Sequence, residues 1–101
     1  MKATTDATFE KDIQSGLVLV DFWAPWCGPC RQMLATFDEI LPEIKNAEVY
    51  SMNVTENEET PAKFKIMSIP ALMLFKDGEL VDSKVGRQDG DTIKNWIVKH
   101  S

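Results

Sequence analysis

The chain has 101 residues, 44% of them apolar, which sets the scale of one domain around one core, residues 1–101. Sixteen acidic against eleven basic residues leave a formal net charge of -5 without a basic arm or patch, which argues against nucleic acid as a partner. No apolar run, Leu17–Val20 included, is long enough for a bilayer, and the polar Thr4–Thr8 stretch near the N-terminus lacks the apolar segment of a secretory signal, so a cytoplasmic protein is expected.

No repeat, linker or low-complexity segment interrupts the chain. Thr4 and its neighbours are placed for a short edge strand. Asp6 is positioned to cap a short helix in which Phe9 and Ile13 share one face, and Gly16 ends it. Leu17–Phe22 is β-rich and apolar except for Asp21, as expected of a central strand covered on both sides. After Cys27, the spacing of Met33, Phe37, Ile40, Leu41 and Ile44 predicts a longer amphipathic helix. Pro42 should bend it or end its regular part.

Val49–Val54 reads as a second interior strand, followed by an acidic turn and a short helix over Glu58–Phe64. Ala71–Lys76, Asp77-Gly78 and Glu79–Val81 form a hairpin pattern, with Gly86 closing its second arm. A final helix from Asp89 to His100 carries Ile93, Trp96 and Ile97 on one stripe. Helix-linked strands imply parallel crossovers, and the terminal hairpin adds antiparallel members. The expected fold is α/β, a central mixed sheet with helices on both faces.

The two cysteines stand as Trp26-Cys27-Gly28-Pro29-Cys30, directly after the first long strand. Cysteines at i and i+3 can face each other where a helix begins between them. The first thiol then sits where free backbone N–H groups favour its anion, and the second is close enough to close a disulfide. A bridge over two intervening residues constrains little of the unfolded chain, so a purely structural role is the weaker reading. Zinc is short of ligands, because Cys27, Cys30 and the distant His100 supply three at most. With no other histidine, serine or threonine nucleophile chemistry lacks a base, and His100 reads as a solvated residue at the end of the last helix.

Over almost its whole length the chain resembles the thioredoxin family. Val20–Cys30 is similar to its active-site block, Ser68-Ile69-Pro70-Ala71 to its cis-proline loop, Phe75–Gly78 to its hairpin turn, and Val85-Gly86 to the segment flanking its peptide groove. The resemblance implies a thioredoxin-like fold and protein-disulfide reduction by a Cys-Gly-Pro-Cys pair. Cys27 would be the nucleophile and Cys30 the resolving thiol. Asp21 would be a buried carboxylate moving the proton of that thiol, with its affinity for protons raised by burial. Trp26, Gly28, Pro29, Ile69, Pro70 and Gly86 would line the substrate groove, the Ile69 backbone meeting an extended client as an added strand. The Ile69-Pro70 bond would be cis. Trp23 is expected to pack, and Trp96 to lie in the core.

No bound cofactor is implied. Electrons would come from NADPH through a flavin-containing thioredoxin reductase, and the other partners would be disulfide-containing clients, met by a monomer with no membrane attachment. Three positions depart from the family pattern. Ser51 or Met52 stands where a lysine usually accompanies the buried acid, Ala35 replaces a helix-kinking proline, and Ser68 replaces a glycine. The rival readings are a redox-inactive protein-binding scaffold and a thiol oxidant or isomerase.

Overall fold

The computed structural model describes residues 1–101. The elements follow as β1 (Lys2–Ala3), α1 (Phe9–Ile13), β2 (Leu17–Trp23), α2 (Gly28–Ile40), a 3-10 turn (Leu41–Glu43), β3 (Glu48–Asn53), α3 (Glu59–Lys63), β4 (Ala71–Lys76), β5 (Glu79–Val85) and α4 (Gly90–Lys99). One five-stranded sheet has the order β1-β3-β2-β4-β5. β1 and β2 run parallel to β3, whereas β4 is antiparallel to β2 and to β5.

β2 lies at the centre, and every residue from Leu17 to Phe22 is buried. A strand covered on both faces needs apolar side chains at odd and even positions alike, which is why its sequence shows no alternation. Leu17 and Leu19 join Leu72 and Leu74 of β4 on one face, under Met33, Phe37 and Ile40 of α2 and Ile93, Trp96 and Ile97 of α4. Val18, Val20 and Phe22 join Met52, Met73 and Phe75 on the other, against Phe9 and Ile13 of α1. There Phe9, Phe64 and Phe75 meet edge to face, with ring centroids 5.4–5.7 Å apart. The expected mixed sheet, covered on both sides, is the one observed.

Pro42 acts where its missing N–H dictates. α2 ends at Ile40, and Leu41–Glu43 tightens into the 3-10 turn. With Ala35 in place of a proline, α2 is otherwise unbroken. The hairpin turn has positive φ at both central residues, 50° at Asp77 and 88° at Gly78, which lets its twist match that of the strands. No helix is long and apolar enough to cross a membrane.

Two local expectations are corrected by contacts between distant segments. Asp6 does not cap α1, whose N-cap is Thr8. Its carboxylate instead accepts hydrogen bonds from the backbone N–H groups of Glu59 and Thr60 and from the Thr60 hydroxyl, at 2.7–3.1 Å, and so caps α3 across the chain. Burial pushes the Asp6 carboxyl up, but these bonds outweigh it and leave the group below its ordinary value. Asp6→Ala should therefore cost about 1–2 kcal/mol in urea unfolding at neutral pH. Because the folded-state value is depressed, that difference should shrink as the pH falls below the ordinary 3.8; a cost unchanged at low pH would contradict the ionic cap.

The second correction concerns His100, which is not simply solvated. Asp82 of β5 accepts a hydrogen bond from Trp96 Nε1 at 2.7 Å, and His100 Nε2 lies 3.1 Å from the same oxygen. The bonds from Trp96 and the Ser83 backbone hold the Asp82 carboxyl down to about 2. α4 is thus pinned to the edge strand by a polar contact, while its apolar stripe packs into the core against β2, β4 and α2.

Candidate active site

Cys27 is the N-cap of α2, with extended backbone (φ -93°, ψ 112°) before the helix begins at Gly28. Pro29 occupies the first turn, where a missing N–H costs nothing. Cys27 and Cys30 are joined in a disulfide with Cα atoms 5.2 Å apart. Cys27 Sγ accepts a hydrogen bond from the Cys30 backbone N–H at 3.2 Å, so one of the helix-start donors is aimed at this sulfur. The first turn contains no carboxylate. Arg31 lies one turn on and donates to the Pro25 carbonyl at 3.0 Å. Helix dipole and N–H donor therefore act in one direction, favouring negative charge on Cys27 once the bridge opens.

The two sulfurs differ in access. Cys27 is 7% exposed and Cys30 is fully buried, packed with Ala24 against Trp23, Val54 and Ile69. An incoming disulfide can reach the first and not the second. The Ile69-Pro70 bond is cis, and the Ile69 carbonyl oxygen lies 4.0 Å from Cys27 Sγ. Gly86, with φ 91°, donates its N–H to the Pro70 carbonyl at 2.8 Å, tying the end of β5 to the proline loop. The positive φ there favours glycine although a Cβ would meet no atom within 4 Å. Trp26 is 71% exposed beside the bridge, whereas Trp23 is half-buried and packs, and Trp96 is in the core.

Asp21 lies on β2, the strand that leads to the pair. By strand alternation it shares the face of Leu19, the one covered by α2, and its neighbours across the sheet are Ser51 and Leu72. The register thus sets Ser51 beside the acid. Asp21 is 0% exposed and both carboxylate oxygens lack a hydrogen-bond partner. Burial with no compensating charge pushes its carboxyl up to about 7. No hydrogen bond joins it to the cysteines.

No three His, Cys, Asp or Glu side chains converge on a point, and His100 is engaged with Asp82. One exposed residue, Met67 on the loop before Ile69, escaped the sequence reading, because it falls on no apolar period and no sequence pattern marks it. Val85, also exposed, ends β5 beside Gly86.

A bridge that opens and closes at a helix start, on a sheet that need not move, defines a class: proteins that exchange dithiols for disulfides. The family model described as Thioredoxin matches residues 1–99, and the chain belongs to the thioredoxin family. It is 46% identical over 101 residues to a thioredoxin of Listeria monocytogenes, covering 99% of this chain and 98% of that protein. It is 45% identical over 97 residues to a thioredoxin of Staphylococcus haemolyticus, covering 95% and 93%. A thioredoxin of Rickettsia felis is 47% identical over 98 residues, covering 94% and 93%. The chain is a thiol–disulfide oxidoreductase that acts as a protein-disulfide reductase.

Proposed function

We propose that residues 1–101 work as one domain in which Cys27 attacks and Cys30 resolves. The Cys27 thiolate displaces one sulfur of a client disulfide, giving a mixed disulfide and a client thiolate. Cys30 then attacks Cys27 Sγ, closing the internal bridge and releasing the second client thiolate. Two electrons pass to the client. Asp21, ionised, takes the Cys30 proton, a route that a thiol shut away from water requires. No lysine serves this acid, so its own burial sets the pH of the transfer.

The client would lie across Trp26, Gly28 and Pro29 on one side and Ile69, Pro70 and Gly86 on the other, adding an extended segment against the Ile69 backbone. The protein would hold no cofactor of its own and act as a monomer in the cytoplasm. A flavin-containing thioredoxin reductase would return it to the dithiol with electrons from NADPH.

The observation that carries this reading is the Cys30 N–H directed at Cys27 Sγ in a helix start free of carboxylates. Ultraviolet titration of the reduced protein should show Cys27 ionising below the ordinary thiol value of about 8.5. In an insulin turbidity assay the native protein should speed precipitation, and the variant with both cysteines changed to Ser should not. A Cys27 that ionises no earlier than a peptide thiol would remove the proposed nucleophile. Native protein no faster than the double variant would leave only a binding scaffold.

A further inference from the structure

The fold treats its five methionines unequally. Met33, Met52 and Met73 are in the core, Met1 is 38% exposed at the N-terminus, and Met67 is 91% exposed. Met67 lies two residues before Ile69, whose carbonyl oxygen is 4.0 Å from Cys27 Sγ. It also rims a concavity of about 230 Å³ that Phe64, Ile66, Ala71 and Val85 help to line, beneath the proline loop. A flexible thioether at the lip of an apolar concavity is suited to docking and open to oxidants.

We propose that Met67 is a reversible oxidation site through which peroxide weakens docking of protein disulfides and spares the dithiol chemistry. This rests on the reductase reading above. The Met67 sulfur uses a lone pair to bond to one peroxide oxygen and the O–O bond breaks. The other oxygen leaves and is protonated to water, so the thioether loses two electrons and peroxide gains them. The sulfoxide is polar and chiral, and it replaces an apolar contact where a client would press against the loop. The bridge is untouched, since in the oxidised protein neither sulfur is a thiol.

The test treats the disulfide form with hydrogen peroxide, maps methionine sulfoxide by peptide mass, and then measures two reductions. Met67 should convert about tenfold or more ahead of Met33, Met52 and Met73. Insulin reduction should fall about fivefold while reduction of a small aromatic disulfide stays constant. Methionine sulfoxide reductase should restore the lost rate. In Met67→Leu protein, whatever its starting rate, peroxide should no longer lower insulin reduction even though Met1 still oxidises. Full conversion of Met67 with insulin reduction intact would overturn the proposal, as would an equal loss with the small disulfide or a loss that persists in Met67→Leu. Untreated protein unable to reduce insulin at all would instead overturn the reductase reading itself.

Discussion

Changing Cys30 to Ser should accumulate stable mixed disulfides between Cys27 and client proteins, whereas changing Cys27 to Ser should capture none. Both variants should lose insulin reduction by about a thousandfold or more, because each removes a sulfur through which the electrons must pass. The asymmetry lies in what is trapped, and its cause is burial. Cys30 is inaccessible to a protein disulfide, while Cys27 reaches the surface beside the exposed Trp26. The helix-start N–H is also directed at Cys27 Sγ and at no other sulfur. Non-reducing electrophoresis followed by mass analysis reads the outcome. Capture by the Cys27→Ser protein would reverse the assigned roles.

Asp21→Asn should turn a pH-dependent stability into a nearly flat one. The folded-state carboxyl titrates near 7, against 3.8 for the free group, because burial penalises its charge. A raised value means that its neutral form favours the fold: that contribution is complete below about pH 3.8 and is lost as the pH rises towards 7. The difference corresponds to on the order of 4 kcal/mol between those limits. Asn cannot ionise and resembles the neutral acid, so the variant should match the native protein near pH 4 and exceed its stability above pH 7 by that order. Urea unfolding of the oxidised protein across this range measures the curve, and a constant offset would show that Asp21 is not the titrating group. In the reduced protein the same change should slow resolution by Cys30, visible as a transient mixed disulfide in stopped-flow quenching. Loss of stability above pH 7 with no such intermediate would mark Asp21 as structural.

The site and the frame around it were unequally legible in the chain. The cysteine pair stood out because spacing and the preceding strand are both local, and Cys27 does fall at the helix N-cap. The hairpin was equally plain, since Asp77-Gly78 supplies the two positive φ angles that its turn requires. Asp21 drew notice as an acid in an apolar run, and Ser51 or Met52 remained as its neighbour until the β2–β3 register selected Ser51. Asp6 misled for the opposite reason. Its nearest helix in sequence offered a plausible cap, but its partners, Glu59 and Thr60, lie more than fifty residues away. His100 misled similarly, because nothing near the C-terminus announces Asp82 on the edge strand.

What the amino-acid order determined alone was whatever depends on near neighbours: the helix start between the cysteines, the turn at Asp77-Gly78, the stop at Pro42, and the apolar stripes that oblige a sheet to be covered twice. Tertiary structure decided which groups from remote segments share a small volume. It set the Ile69 carbonyl over Cys27, tied Gly86 to Pro70, shut Asp21 away without a partner, and left Met67 in water. The physical reason is that proton affinity and exposure are fixed by everything within a few ångströms, and most of those neighbours are distant along the chain.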